Sequence, residues 1–373
     1  TTYVYAVLPQ RELPCLIPVP RTVIFVRLPN WIGDVIMARP ALHAIRARWR
    51  ETVLIGMLRA THRPLVERFN IFDVLLSAPE GSGVTRLTGV WSAASSVRER
   101  SPDVAVVMAP SFESALTTRM AGVPTRVGHD TDGRRVLLTS AVPLRAGTHR
   151  TEVFRDLARA LGATGEVMVP PLCLTEEDRD YAARLFKSMS WNESTQPLFL
   201  NPASAKTPRA WSSDRYRTLA ERLTSGKRAF RVVVHARDPF SAPQDWAASR
   251  GIALVDNASL SELAAVLERC ALYVGNDSGP CHLAAAVGIR TVTIFGPSIP
   301  QRTGPRSFFR LHSEDTVTER NIAVSASFAC APCRERFFDE CPSPPSDDGR
   351  PPCLDAITVE TLVSQIEQVF KPN

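Results

Sequence analysis

The stretch ALYVGNDSGPCHLAAAVGIRTVTIF (residues 271–295) decides the fold class of this chain. An apolar run ends in a turn of small and polar residues, an alanine-rich segment follows, and a second apolar run begins after Gly288. Asp277 and Ser278 are good N-cap residues, and Pro280 suits the first turn of a helix. Strand, helix and strand in this order predict a parallel βαβ unit.

The start of this predicted helix is a candidate anion site. The first N–H groups of a helix have no partner within it, so those of Ser278 and Gly279 would face a phosphate. His282, in the first turn, could add a donor, and we expect Gly279→Val to place a side chain against a bound diphosphate. The alternative is a capped helix that only packs on its sheet.

The same alternation of apolar runs and helical segments extends along the chain in two successive halves. A length of 373 residues exceeds one compact core. We predict an α/β protein with an arm at 1–21, a first domain at 22–170 and a second at 171–373, closing on ligands in the cleft between them. Between residues 128 and 150 the alternation stops, and the sequence predicts a loop.

Composition and charge narrow the class of protein. The apolar fraction is 44% and the charged fraction 22%, as in ordinary soluble proteins, and no apolar run is long enough to span a membrane. Prolines and an Arg-Glu pair interrupt the first twenty residues, which argues against a secretory signal, and we expect a cytosolic protein. The net charge is +7 over residues 1–170 and −1 over the rest, and the excess is arginine. This predicts an anionic partner for the first domain, although codon bias and solvated arginines are the alternative.

The segment RLPNWIGDVIMARPAL (residues 27–42) places a carboxylate where a buried strand ends and a helix starts. Asp34 is either the N-cap of that helix or a general base at the carboxyl edge of a parallel sheet, where such folds bind ligands. Pro40 predicts that a short first helix ends and a second begins near residues 39–40.

A basic loop, LNPASAKTPRAW (residues 200–211), follows a strand of the second half. Ser204, Lys206 and Arg209 could hold a diphosphate opposite the helix that begins near Ser278. The alternative is a solvated loop in which Trp211 packs against the next helix.

Taken together, RLPNWIGDVIMARPAL and GNDSGPCHLAAAVG with the following TVTIFGPSIPQRTGP resemble glycosyltransferase family 9, the ADP-heptose:lipopolysaccharide heptosyltransferases, and within it the heptosyltransferase II branch. The resemblance covers residues 22–370. It implies a GT-B fold, in which two Rossmann-like domains face each other and the C-terminal one binds the nucleotide-sugar. It also implies inverting, single-displacement transfer of L-glycero-D-manno-heptose from ADP-heptose to the inner core of lipopolysaccharide, with no organic cofactor.

The resemblance assigns roles to individual residues. Asp34 matches the proposed catalytic base, and the donor-binding motif matches Asp277, Ser278, Gly279 and His282. Arg209 stands where the family commonly has a lysine, and Lys206 lies three residues earlier, so either is a candidate for the main phosphate cation.

The arginine-rich loop would bind a phosphorylated, carboxylated lipid-sugar or, alternatively, is only solvated; its candidate residues are Arg126, His129, Arg134, Arg135, Arg145, His149 and Arg150.

A cysteine-rich loop at residues 330–353 contains Cys330, Cys333, Cys341 and Cys353. C-x-x-C with two further cysteines in a cytosolic chain favours a structural Zn or Fe site, with disulfides or inert thiols as alternatives. A similar loop occurs in relatives that include protein heptosyltransferases, where iron is implied.

Two other functions stay open. One is a protein O-heptosyltransferase that modifies serine hydroxyls of a surface or autotransporter protein. The other is a non-catalytic scaffold that binds a nucleotide-sugar. For the lipopolysaccharide function we expect transient contact with the inner face of the inner membrane and no nucleic-acid partner.

Overall fold

The computed structural model describes residues 22–80, 83–204, 209–226, 229–236, 244–306, 320–326, 330, 333 and 351–370. These residues form two six-stranded sheets, and every paired strand in both is parallel. Helices cover the sheets, so the predicted α/β class is confirmed. In this part of the chain no helix is both long and apolar enough to cross a membrane.

The first sheet has the order β3-β2-β1-β4-β5-β6. Its strands are β1 (Val23–Arg27), β2 (Val53–Leu58), β3 (Val74–Ser77), β4 (Val104–Val107), β5 (Thr125–His129) and β6 (Ser140–Val142). Its helices are α1 (Ile32–Met37), α2 (Arg39–Arg48), α3 (Arg63–Glu67), α4 (Gly83–Arg98), α5 (Phe112–Met120) and α6 (Arg150–Ala160), with short 3₁₀ helices at Ala60–His62 and Arg134–Leu137.

The second sheet has the order β12-β11-β10-β7-β8-β9. Its strands are β7 (Leu198–Asn201), β8 (Val232–His235), β9 (Ile252–Val255), β10 (Leu272–Asn276), β11 (Arg290–Phe295) and β12 (Asn321–Ser325). Its helices are α7 (Glu176–Ser188), α8 (Ser213–Ser225), α9 (Gln244–Ala248), α10 (Leu260–Glu268), α11 (Gly279–Ala286), α12 (Pro300–Thr303), α13 (Pro352–Asp355) and α14 (Val359–Val369). Counted from the first strand of each half, both sheets have the Rossmann order 3-2-1-4-5-6.

Strand β1 shows why apolar runs form the sheet centres. Ile24 and Val26 belong to one buried cluster, whereas Phe25 packs on the other face with a cluster that includes Ala94 and Val97 of α4. Both faces of the strand are therefore covered by helices. A strand buried on both faces needs apolar residues at every position, which explains the uninterrupted run.

The two sheets lie on the predicted sides of residue 170, and polar contacts join the halves. Arg68 of the first half pairs with Asp178 of the second at 2.5 and 3.1 Å, and buried Arg39 donates at 2.6 Å to the carbonyl of Pro170, the last residue of the first half. Burial alone would raise the pKa of the Asp178 carboxyl, but hydrogen bonds from Arg68 and Thr175 hold it at about 2. The charged pair thus fastens the start of α7 to the first half. The arm at 1–21 lies outside the described residues.

The sequence pattern did not predict four of the strands, which are β5, β6, β9 and β12. The segment at 128–150, expected to be a loop, contains the end of β5, a 3₁₀ helix and β6. Three of the four strands are sheet edges, and β6 and β12 are mostly exposed or half-buried. Strands β6 and β12 bury few positions, so they lack the apolar run that marks a central strand, whereas β9 is apolar and mostly buried and this reason does not apply to it. The predicted break between the first two helices is confirmed, because α2 begins at Arg39 with Pro40 in its first turn.

Candidate functional site

Both candidate sites lie where the strand order of a sheet reverses. In the first half this point is between β1 and β4, and in the second between β7 and β10. Ligands of open α/β sheets bind in the crevice beyond the carboxyl ends of the strands at such points. The segments that follow β1 and β10 carry Asp34 and the Ser278 motif, so topology supports both positions.

Asp34 is the third residue of α1 and does not cap it. The N-cap position belongs to Trp31, which has an extended backbone and makes no side-chain cap. The carboxylate instead lies 3.5 Å from the guanidinium of Arg150, measured from Oδ1 to Nε. The N-cap alternative from the sequence is therefore wrong, and the general-base interpretation stays a prediction.

Arg27, which the sequence analysis missed, shapes the loop that leads to Asp34. Its guanidinium is buried at the end of β1 and donates to the Leu28 carbonyl at 2.5 Å and to Oδ1 of Asn30 at 2.8 Å. Burial lowers its pKa to about 10 although the charge of Glu113 opposes this shift. Its signal in the sequence was an arginine closing an otherwise apolar strand.

The start of α11 is left open by its own N-cap residue. Ser278 occupies the N-cap position, but its side chain caps no N–H group of the helix. Its Oγ instead accepts a hydrogen bond from Nδ2 of Asn201 at 3.1 Å, and Asn201 is held by His235 at 2.7 Å. The expected side-chain cap is thus wrong, and backbone N–H groups at this helix start are left without that acceptor, which favours an anion there. Asn201 and His235 were not predicted from the sequence.

Arg209 brings positive charge to the same helix start. Its Nη1 lies 3.5 Å from Oδ2 of buried Asp277. Asn276 holds the intervening loop, since its Oδ1 accepts from the Trp211 backbone at 2.9 Å and its Nδ2 donates to the Pro202 carbonyl at 2.7 Å. The two described ends of the basic loop are therefore held at the end of β10, next to the start of α11. Ser204 is half-buried in the same loop, whereas Lys206 lies outside the described residues.

His282 is buried between the two halves. Burial, with smaller contributions from the charges of His149 and Arg209, lowers its pKa to about 3, so its imidazole is neutral at neutral pH. The ring packs against Gly33 of α1, where an added Cβ would lie 2.8 Å from Cδ2 of the histidine. A neutral imidazole has one N–H to donate, so the predicted contact with an anion would be a single hydrogen bond.

Gly279 has a different reason to be glycine than the one expected. A Cβ added there would collide with Cγ2 of Ile32, on α1 of the opposite half. The added side chain would meet Ile32, and the expectation that Gly279→Val places it against a diphosphate stays a prediction. The glycine allows the starts of α1 and α11 to meet, and Asp34 lies in the first turn of α1, two residues after Ile32.

Three residues of the arginine-rich loop are committed to the N-terminal half. Arg126 donates to the carbonyls of Val123, Pro124 and Leu137; Arg134 is fully buried and donates to those of Ala109, Ser111, Val107 and His129. Both ring nitrogens of His129 face backbone carbonyls, at 3.2 and 2.8 Å, and burial lowers its pKa. These side chains stabilise β5 and its neighbours in place of the expected acceptor contact.

The other residues of that loop divide into two groups. Arg135 pairs with Asp130 and Arg145 with Asp156, and both arginines stay largely exposed. His149 caps α6 and bonds the Gly304 carbonyl of the second half, a structural contact rather than the expected acceptor contact. Arg150 reaches Asp34, as described above. The surface arginines therefore stay candidates for an anionic acceptor.

Two exposed aromatic side chains, which were not predicted from the sequence, lie on the rim of the first half, at the carboxyl ends of β1 and β4. Trp31 is 57% exposed and Phe112 is 41% exposed, at the starts of α1 and α5. These helices follow β1 and β4, which are adjacent strands, and the Phe112 N–H donates to Asp132 at 2.6 Å. Exposed aromatic rings beside a polar crevice suit a ligand that has one apolar side and one polar, hydrated side.

Metal binding has two candidate places. Asp277, Cys281 and His282 have ligand atoms within 4.8 Å of one another. Burial raises the pKa of the Cys281 thiol and Arg209 pairs with Asp277, so this cluster favours an ion pair and a protonated thiol over a metal.

The cysteine-rich loop is described only at Cys330, Cys333 and Cys353; Cys341 lies outside the described residues. Sγ of Cys333 lies 3.8 Å from the Pro297 carbonyl, and Leu354, next to buried Cys353, packs against Gly296. The segments that carry Cys333 and Cys353 therefore meet at the turn after β11, but among the described residues Cys330, Cys333 and Cys353 do not form a group of ligand atoms close enough to share a metal ion.

Two Rossmann-order sheets with candidate sites at facing crevices are the architecture of the GT-B fold. The family model "Glycosyltransferase family 9 (heptosyltransferase)" matches residues 90–340. The chain belongs to this family and is therefore a glycosyltransferase.

The chain is 27% identical to lipopolysaccharide heptosyltransferase 2 of Escherichia coli (strain K12) over 303 residues, which cover 75% of this chain and 84% of that protein. The structure of E. coli ADP-heptose lps heptosyltransferase II matches with a TM-score of 0.72 at 20% identity, covering 93% of this chain and 98% of that one. The iron-containing dodecameric glycosyltransferase TibC of enterotoxigenic E. coli H10407 matches with a TM-score of 0.55 at 14% identity, covering 94% and 76%. Both structural likenesses confirm the predicted fold.

Proposed function

We propose that this protein transfers L-glycero-D-manno-heptose from ADP-heptose to the inner core of lipopolysaccharide, as a heptosyltransferase of type II. One observation carries the proposal: the start of α1, with Asp34, meets the start of α11 through Ile32 and Gly279. A helix start that carries a carboxylate in one half thus meets a helix start of the other half that suits a diphosphate. The similarity to lipopolysaccharide heptosyltransferase 2 supports the choice of donor and acceptor.

The proposed chemistry is a single displacement. The acceptor hydroxyl oxygen bonds to the anomeric carbon of heptose while the bond from that carbon to the diphosphate oxygen breaks. The electron pair leaves with ADP, and the hydroxyl proton passes to the Asp34 carboxylate. The N-terminus of α11 and Arg209 would stabilise the charge that builds on the departing diphosphate.

The acceptor would bind on the rim of the first half. Trp31 and Phe112 offer exposed rings at the same end of the first sheet as Asp34, and Arg135 and Arg145 offer charge for phosphate and carboxylate groups. This combination suits an anionic lipid-sugar. We propose that the enzyme meets it at the cytoplasmic face of the inner membrane, through transient contact.

The test supplies labelled ADP-heptose with purified inner-core lipopolysaccharide, with a serine-rich autotransporter protein, or with neither. Labelled lipopolysaccharide is the expected product, and Trp31→Ala should raise the KM for this acceptor with little change for ADP-heptose. Label on the protein acceptor alone would establish the protein O-heptosyltransferase instead. Binding of ADP-heptose without product in any arm would indicate a scaffold.

We also propose a structural metal at the cysteine-rich loop, held by Cys330, Cys333, Cys341 and Cys353. The meeting of the Cys333 and Cys353 segments after β11 supports it, as does the likeness to a fold described as iron-containing. Bound Zn or Fe would join these segments and add its binding free energy to folding.

Elemental analysis tests the metal directly. We expect about one Zn or Fe per chain, lost in Cys333→Ser and retained in Cys173→Ser, an exposed cysteine outside the loop. Chelation should lower the Tm of the wild type and leave that of Cys333→Ser unchanged. Metal-free protein with unaltered melting would contradict the proposal.

A further inference from the structure

The start of α6 contacts both the Asp34 carboxylate and the opposite half. Arg150 is the first residue of the helix, and its Nε lies 3.5 Å from Oδ1 of Asp34. The two side chains are 34% and 24% exposed, so water screens their attraction only in part. An ion pair through one oxygen restricts rotation of a carboxylate, which matters for a group that must accept a proton from one direction.

The neighbouring His149 joins this helix start to the second half. Its Nδ1 accepts from the Thr151 N–H at 3.2 Å, and its Nε2 lies 2.9 Å from the Gly304 carbonyl. Since Nδ1 is the acceptor, the proton of the neutral ring is on Nε2, which donates to Gly304. Burial lowers the pKa of His149 to about 4, against a smaller opposing effect of the Gly304 bond, so the ring is neutral at neutral pH.

These contacts form a continuous connection. Gly304 ends α12, in the segment that follows β11 of the second half. Its carbonyl accepts from His149, His149 caps α6, and Arg150, the next residue, extends to Asp34. Separation of the two halves would break the first contact and free the helix start to move.

We propose that Arg150 is a positioning residue for Asp34 and that the His149–Gly304 hydrogen bond aligns it, so that docking of the second half completes the general base. This inference rests on the proposed function, because it takes Asp34 as the base. It assigns Arg150 and His149 to the alignment of a carboxylate, and not to contact with donor or acceptor.

The first experiment compares Arg150→Gln, Arg150→Lys and the matched control Arg250→Gln. Arg250 is 38% exposed and pairs with Glu221 on the second half, away from Asp34. We expect Arg150→Gln to lower kcat by roughly 10–100-fold, because small misplacements of reacting groups have effects of this size. The KM for ADP-heptose and ADP affinity should stay within a few-fold, Arg150→Lys should recover part of kcat, and Arg250→Gln should match the wild type.

The second experiment tests the connection through His149. His149→Asn keeps a side chain that can cap α6 but is too short to reach Gly304, and it should lower kcat in the same way. If His149 acts through Arg150, the double variant should be no slower than Arg150→Gln alone. Melting temperatures verify folding, and His149→Gln serves if His149→Asn does not fold.

The outcomes separate this inference from the proposed function. Wild-type kcat in Arg150→Gln, or multiplicative effects in the double variant, overturns the inference while Asp34→Asn stays inactive. A raised KM for ADP-heptose with unchanged kcat also overturns it, since Arg150 would then be a donor contact. Full activity of Asp34→Asn would instead remove the general base on which both depend.

Discussion

The two sheets share one strand order, and the carboxyl ends of their strands face each other. The side chains at these two carboxyl edges are chemically different. At the reversal point of the first sheet stand a carboxylate, an arginine and exposed aromatic rings; at that of the second stand an open helix start, Arg209 and a buried neutral histidine. The first edge suits a hydroxyl acceptor that must lose a proton, and the second suits an anion that must leave. The difference teaches that a common topology determines where ligands bind, whereas loop residues determine what binds.

The largest effect that separates the two carboxyl edges is expected from Asp34→Asn, which changes only the group at the first edge. The amide keeps the size of the carboxylate but cannot take the proton, so turnover should fall about 10²–10⁴-fold with ADP-heptose affinity nearly unchanged. Asp214→Asn, also in the first turn of a helix, is the control. Turnover within a few-fold of wild type would move the base to another residue, with Glu113 at the start of α5 as the next candidate.

Loss of charge at the second edge should act on the nucleotide. Arg209→Gln should weaken ADP binding by about 1.5–3 kcal/mol, the range for hydrogen bonds to charged groups, as measured by titration calorimetry. Arg179→Gln removes an arginine paired with Glu268 and should leave ADP affinity unchanged. Equal affinities for wild type and Arg209→Gln would make Lys206 the main phosphate cation.

The contact between the edges is tested by a pair of substitutions. Gly279→Ala should destabilise the protein by about 1–3 kcal/mol, because its Cβ overlaps Ile32, and Ile32→Ala should restore much of that loss. Denaturant unfolding of both single variants and the double variant measures the coupling. If Ile32→Ala restores nothing while ADP binding stays weak, the glycine serves the phosphate after all.

Acidification should weaken the packing of His282 between the two halves. The pKa of His282 is lowered to about 3 in the folded protein, so below its ordinary value of about 6.5 the unfolded chain takes up the proton first. The contribution of His282 to the free energy of unfolding should therefore be fully present above pH 6.5. Below pH 6.5 the free energy of unfolding should decrease, by up to about 1.4 kcal/mol per pH unit from this group. Urea unfolding at pH 7 and pH 5 should show a smaller difference for His282→Gln. Identical differences would show that His282 does not couple protonation to folding.

The arginine excess of the first half shows how composition and structure differ in what they report. The charge imbalance predicts an anionic partner, yet several of these arginines serve the fold. Arg27, Arg126 and Arg134 donate to backbone carbonyls, and Arg39 is buried against Pro170. Composition counts charges, but only the folded chain shows which of them remain at the surface.

The sequence alone determined the α/β class, the two halves, the central strands and the positions of Asp34 and the Ser278 motif. Each depends on local pattern: apolar runs mark strands buried on both faces, and small polar residues after them mark helix starts at the sheet edge. Edge strands such as β6 and β12 stayed hidden, because their partial burial leaves no such pattern.

Only the tertiary structure decided how these pieces act together. The Oγ of Ser278 accepts a hydrogen bond from Asn201, Gly279 makes room for Ile32, and His149 joins α6 to Gly304, although each partner is distant in the sequence or on the other half. Hydrogen-bond partners and steric limits depend on distances between chain segments. No local sequence pattern carries those distances, so the assignment of each side chain to ligand, interface or core came from the fold.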